Sequence, residues 1–235
     1  MLISALRNFQ DNPTMTIVSI LLMIPTLLIS LTVHEYSHGR MALALGDKTA
    51  LMAGRLTLNP IKHIDPIGAL MLLLFGFGYA KPVPINTRNF DRVSYKKGLV
   101  LVSIAGPLSN FFLALFGVLG MHIVMAIIIK TENFSLPLQL TYSFFDYFAI
   151  MNIGLGVFNL IPIPPLDGSR ILTVFLPSKV QMWFYKYEQI IQIIIFLLLW
   201  RGIFDGPLYF LRNAIFTGMS NLVSLIPFLN LNNLF

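Results

Sequence analysis

Apolar and charged positions in this chain fall into long blocks instead of alternating at helical or strand period. Residues 12–33 and 98–129 carry no charged side chain, and residues 139–163 carry only Asp146. Residues 180–200 place Lys186 and Glu188 before a clean aliphatic half, and residues 207–228 are interrupted by Arg212. A helix needs roughly 20 apolar residues to cross a bilayer, so each block is long enough. A sixth apolar piece, residues 67–79, has only 13 residues, which suits a re-entrant or interfacial segment. The pattern predicts an all-α polytopic membrane protein, with about five transmembrane helices plus a short re-entrant or extended segment, as a single domain over residues 1–235. Residues 79–90 are different in kind. Pro82 and Pro84 exclude a helix interior and favour extended backbone, read either as a stiff loop or as an edge to which a peptide strand can add.

Composition sharpens the class. Charged residues make up 11% of the chain against about a quarter in soluble domains, and mean hydropathy is +0.77. The lipid bilayer is therefore the expected surroundings. The absence of cysteine excludes disulfides, thiolate zinc ligands and a cysteine nucleophile. The net charge of +6 is distributed as a membrane protein distributes it, and no nucleic-acid partner is expected. Nine basic residues lie between positions 40 and 97, and Arg170, Lys179 and Lys186 follow the third span. The opposite side holds Arg7, Lys130 and Arg201, so the basic loops face the cytoplasm. In a prokaryote the membrane would be the cytoplasmic one. The first eleven residues carry Arg7 and Asp11, and no small-residue cleavage site follows the first block, which reads as a permanent span.

That block ends abruptly in "HEYSH", residues 34–38, an H-E-x-x-H pattern. On a helix, positions i and i+4 share a face, so His34 and His38 can bind one zinc ion through neutral imidazoles. Glu35 is turned about 100° away, able to act on the metal's water without ligating the metal. Zinc acidifies a bound water, and a carboxylate takes its proton as it attacks a carbonyl. With four histidines and three glutamates, fewer than about one in a thousand shuffled chains would contain the pattern. The plain alternative is two histidines capping the first helix at the level of the lipid headgroups.

A catalytic zinc takes three protein ligands and keeps one position open. The third could be a carboxylate, His63 or His122. His122 lies in mid-span, where a packed polar residue is the simpler reading, and His63 sits in a Pro-flanked loop. The most informative carboxylate is Asp167, in "FNLIPIPPLDGSR", residues 158–170. Pro162, Pro164 and Pro165 break the third span just before it. A membrane tolerates the backbone groups so freed only where protein or water satisfies them. A simple Asp-Gly turn remains the competing reading.

Together these stretches resemble the site-2 protease family of intramembrane zinc metalloproteases. The resemblance rests on "HEYSH" in a first apolar helix and "NLIPIPPLDG" far downstream, with "AGPLSN" (105–110) and "GRLTLNPIKHIDPIG" (54–68) alongside. It covers roughly residues 30–172. It implies one zinc per chain held by His34, His38 and Asp167, with Glu35 as general base. Asn159 matches the family's asparagine, suggested to steady substrate or the tetrahedral oxyanion; a structural role in the broken helix is the alternative. It also implies transmembrane proteins or peptides as substrates, cut within or beside the bilayer. No stretch is long enough for the PDZ-like insert of many members, nor is a span seen before the H-E-x-x-H helix, so a minimal form is expected. Two rival functions use the same residues: a zinc or proton transporter, and an adaptor that keeps the metal for structure alone.

Overall fold

The computed structural model of the chain describes residues 13–75 and 80–229. Helix α1, Pro13–Ala44, outlasts the apolar run and carries the H-E-x-x-H motif inside it. Several of its hydroxyl side chains bond within the helix, Thr26 Oγ1 donating to Leu22 O, Ser30 Oγ to Thr26 O and Ser37 Oγ to Val33 O. Just past its end, at Gly46, φ is +108° and a Cβ would meet the Asp91 carboxylate; Arg92 Nη1 donates to Ala44 O. A single turn, α2 (Thr49–Met52), and a 3-10 turn at Pro60–Lys62 lead into α3, Pro66–Phe75. Asp65 Oδ1 starts that helix by accepting from the N–H groups of Ile67 and Gly68. The remainder of the short apolar segment, residues 76–79, lies outside the described residues, as do residues 1–12 with Arg7 and Asp11.

Residues 80–86 run without helix or strand to a 3-10 turn at Thr87–Asn89. Helix α4, Tyr95–Thr131, follows, its N-terminus capped by the Ser94 side chain. Glu132, at φ +50°, ends it, and α5, Leu136–Asn159, returns alongside. These two backbones approach so closely that a Cβ on Gly117 would lie 2.8 Å from Ala149 N. The third apolar block was expected to run to residue 163, but α5 stops at Asn159. Pro162, Pro164 and Pro165 supply no N–H to continue it. Helix α6, Asp167–Thr173, then starts with the aspartate of the Asp-Gly pair, followed by α7, Ser178–Trp200, and α8, Asp205–Ser224.

All described secondary structure is helical. Three of these helices are long and apolar enough to cross a membrane: residues 16–44 of α1, α4 and α7. Helices α5 and α8 have the length, but Gln139, Asp146, Arg212 and Asn213 among others dilute their apolar character, so the expected five spans are represented by three on these criteria.

Helices α1, α4 and α5 form the centre. Apolar clusters lie at successive levels, with Leu27, Leu31 and Met151 in one, and Ala114, Ile153 and Val157 in another. Among them sit fully buried polar side chains: Thr26, Ser30, Asn110 and Asn152. Helix α7 contrasts with this centre, since Ile195 is its buried residue.

Candidate metal centre

Helical spacing alone puts His34 and His38 on one face of α1, and their rings meet edge to face with centroids 4.7 Å apart. Each ring is held from behind. His38 Nδ1 lies 2.7 Å from the carbonyl oxygen of Val102 on α4, and His34 Nδ1 lies 2.6 Å from Asn110 Oδ1. A backbone carbonyl only accepts, so His38 carries its proton on Nδ1 and presents the Nε2 lone pair forward. The forward atoms converge: His34 Nε2 and His38 Nε2 are 3.1 Å apart.

Asp167 completes the group from the far end of the chain. The break after α5 reverses the backbone, and α6 begins with Asp167 turned inward and buried. Gly168 makes this approach possible, since any Cβ there would strike the carbonyl oxygens of Leu160 and Ile161. Asp167 Oδ2 stands 3.2 Å from His34 Nε2 and 3.2 Å from His38 Nε2. Gly106 of α4 lies against both rings, and a Cβ on it would fall within 2.7 Å of His34 Cε1.

The donor set is that of a cation site. Asp167 Oδ2 is buried and has no hydrogen-bond donor among the described residues. With the His38 proton on the rear nitrogen, it faces the lone pair of that ring, and such electron-rich atoms without a cation repel one another. Their separations of 3.1–3.2 Å suit a tetrahedral metal. Zinc bonds of 2.0–2.1 Å require ligand atoms about 3.3 Å apart. The residues present therefore fit zinc, with two imidazoles and one carboxylate as its protein ligands.

The other candidate residues lie as follows. Glu35, half-buried, accepts through Oε2 from the Val83 N–H at 2.9 Å, which ties α1 to the extended segment. Asn159 closes α5, its amide donating to Leu155 O one turn back. His63 is fully buried and bonds Thr57 O through Nε2 at 2.7 Å. His122 is satisfied on both nitrogens, by Leu229 O and by Ser220 Oγ. Neither belongs to the converging group of His34, His38 and Asp167. The spacing of the motifs did not point to Val102 O, Gly106 or Val83 N–H, whose contributions come from backbone. The one available signal for α4 was the "AGPLSN" stretch itself.

Comparison with known proteins identifies the family. The model of peptidase family M50 matches residues 22–201. The curated relative "Putative zinc metalloprotease YwhC" of Bacillus subtilis is 41% identical over 161 residues, covering 66% of this chain and 69% of the relative. "Putative zinc metalloprotease Rip2" of Mycolicibacterium smegmatis is 30% identical over 167 residues, covering 68% of this chain and 60% of that protein. "Zinc metalloprotease MJ0392" of Methanocaldococcus jannaschii is 27% identical over 153 residues, 65% of this chain and 34% of the relative. No solved structure matches. With H-E-x-x-H and the distal aspartate both inside the matched region, the chain belongs to peptidase family M50, the membrane zinc metalloproteases of the site-2 protease type.

Proposed function

We propose that this chain is an intramembrane zinc endopeptidase. As one domain and with one zinc, it would hydrolyse peptide bonds in or near the transmembrane segments of membrane-protein substrates. The observation that carries the reading is the convergence of His34 Nε2, His38 Nε2 and the donorless Asp167 Oδ2. These three would hold the metal. Bound there, zinc would supply the Lewis acid that activates water and polarises the scissile carbonyl. Glu35 takes the proton as the water oxygen attacks the carbonyl carbon. The C–N bond then breaks, and the departing amine receives that proton. Asn159 is assigned the steadying of substrate or oxyanion, because a side-chain amide can donate to developing negative charge. The excess of basic residues in loops flanking the site orients it toward the cytoplasm.

A helical substrate offers no free backbone, so local unwinding precedes attack. The extended segment beside Glu35 is the candidate for holding the unwound strand. Its own chemistry limits how. The N–H groups of Lys81, Val83 and Asn86 donate to His63 O, Glu35 and Asp47, and Pro82 and Pro84 have none. From residue 81 to 86, Ile85 alone keeps an N–H for a partner, so an added strand would mainly donate to carbonyls.

A 340 Å³ cavity adjoins this segment, lined among others by Ile85, Val102, Pro164, Ser169 and Tyr185. It joins the segment to α6 and α7 and gives a side chain of the unwound strand somewhere to sit. Gly154 of α5 faces open space, whereas Gly156 packs against the Phe111 ring, so Gly156 serves close approach.

The test is cleavage of a model transmembrane peptide by purified protein, with and without chelator, alongside Glu35→Gln. Chelation should abolish cleavage. Glu35→Gln should keep zinc at wild-type stoichiometry and lose about 10²–10⁴-fold in rate, the range for general acid–base catalysis. Metal flux across a vesicle membrane that survives Glu35→Gln, with no peptide cut across a broad panel, would favour a transporter instead.

A further inference from the structure

Behind the converging atoms lies a chain of buried amides that the proposed catalytic roles do not use. Asn110 on α4 and Asn152 on α5 are both fully buried, in the apolar centre of the helix packing. An amide can face either way, so its orientation has to be read from partners that cannot. Phe148 O is a backbone carbonyl and only accepts. Asn152 Nδ2 donates to it at 2.8 Å, which turns Asn152 Oδ1 toward α4. That oxygen needs a donor, and Asn110 Nδ2 supplies it at 2.8 Å. The same nitrogen also faces Ser30 O at 3.4 Å, a second carbonyl that only accepts. Both neighbours require nitrogen on that side of Asn110. Its Oδ1 is therefore left facing His34 Nδ1 at 2.6 Å, and an oxygen there demands a proton on the ring nitrogen.

We infer that Asn110, oriented by Asn152, is a positioning residue that sets the tautomer of His34. The proton order runs from Phe148 O through two amides to the imidazole. It ends with the lone pair of His34 Nε2 directed at His38 Nε2 and Asp167 Oδ2. His38 reaches the same state in one step, through Val102 O. The two metal-facing rings are thus held by unlike means, one by backbone and one by a side-chain relay across three helices. The relay also ties α1, α4 and α5 together at one level, so the register of those helices and the proton position are specified together. In metal sites, such outer partners typically contribute 10–100-fold in metal affinity. The significance of the tautomer rests on the zinc reading above; its existence does not.

The test reads proton placement directly. Metal-free protein labelled at its histidine nitrogens is examined by NMR at alkaline pH as wild type, Asn110→Asp, Asn110→Leu and Asn152→Leu. The His34 signal is assigned by its loss in His34→Gln. Wild type and Asn110→Asp, which keeps an acceptor, should show His34 protonated on Nδ1. Asn110→Leu should move the proton toward Nε2, and Asn152→Leu, which frees Asn110 to turn, should give a mixture. Zinc affinity, read by chelator competition, should fall about 10–100-fold in Asn110→Leu and stay at or above wild type in Asn110→Asp. A wild-type His34 protonated on Nε2 overturns the relay whether or not zinc binds. Equal affinity losses in the Asp and Leu variants with an unmoved proton overturn it too, leaving Asn110 a packing residue. Wild-type protein with the Nδ1 proton that binds no zinc sustains the relay and overturns the metal reading instead.

Discussion

The four histidines of this chain are all buried, yet His122 and the His34–His38 pair follow opposite logic. His122, where α4 meets α8 and a 3-10 turn at Pro227–Leu229, finds a partner for each nitrogen: Leu229 O and Ser220 Oγ. It is a tie between elements, complete as it stands. His34 and His38 have partners for their rear nitrogens only, and their front nitrogens face each other and a carboxylate oxygen without a donor. Burial therefore does not separate a structural histidine from a ligand. Convergence does. The front nitrogens of His34 and His38 meet each other and Asp167 Oδ2, and a lone pair aimed at other lone pairs costs energy that only a cation or proton removes. His63, whose Nδ1 also lacks a partner among the described residues, stands outside that group.

The contrast breaks most visibly by substitution. His38→Ala should eliminate stoichiometric zinc and with it all chelator-sensitive peptide cleavage. His122→Ala should keep both, while lowering stability by about 1–3 kcal/mol as it leaves buried polar partners unpaired. Metal analysis and thermal unfolding of the two variants, side by side, check this. Zinc loss in His122→Ala, at a temperature where the protein remains folded, would erase the distinction.

A finer cut tests the packing behind the rings. Gly106→Ala puts a methyl against both imidazoles, and the rings must move, since the obstacle lies on α4 backbone that Pro107 follows at once. Overpacking of this kind costs about 1–3 kcal/mol. Here the loss should be read chiefly as weaker zinc binding, because the groups displaced are the proposed ligands, His34 and His38. Chelator competition against thermal unfolding separates the two.

How much of this was legible beforehand depends on how far each feature reaches along the chain. The pairing of His34 with His38 needs only the helical repeat, so four residues of spacing suffice. The approach of Asp167 was signalled by three prolines breaking an apolar run, although spacing alone could not state its distance from the histidines. The family resemblance supplied that expectation. The amide relay was not legible, because it depends on the register of α4 against α5, and an asparagine in an apolar run looks the same in any register. Helix ends were misjudged for a related reason. Hydropathy reports what surrounds a helix, whereas its length follows backbone hydrogen bonding. The first helix thus continues through the motif to Ala44, and the third stops at Asn159, ahead of the prolines.

The smallest expected effect concerns the turn after α1, against which the end of the extended segment is held. Asp47 is fully buried there and accepts from Thr49 N, Thr49 Oγ1, Asn86 N and Asn89 Nδ2. Burial on its own would raise the carboxyl's pKa, but the hydrogen bonds from Thr49, Asn86 and Asn89 outweigh it and hold the group below its ordinary value. A carboxyl whose folded pKa is depressed stabilises the fold in full above its unfolded value of about 3.9, and the benefit fades as pH falls through the folded one. Acid should therefore loosen the anchor of residues 86–89 on the turn after α1, and Asp47→Asn should remove that part of the pH dependence. The measurement is thermal unfolding from neutral to acid pH for both proteins. Parallel curves below pH of about 4 would mean that Asp47 protonates in the folded state as readily as in the unfolded chain. The Asn86 and Asn89 contacts would then not be what holds the extended segment beside Glu35.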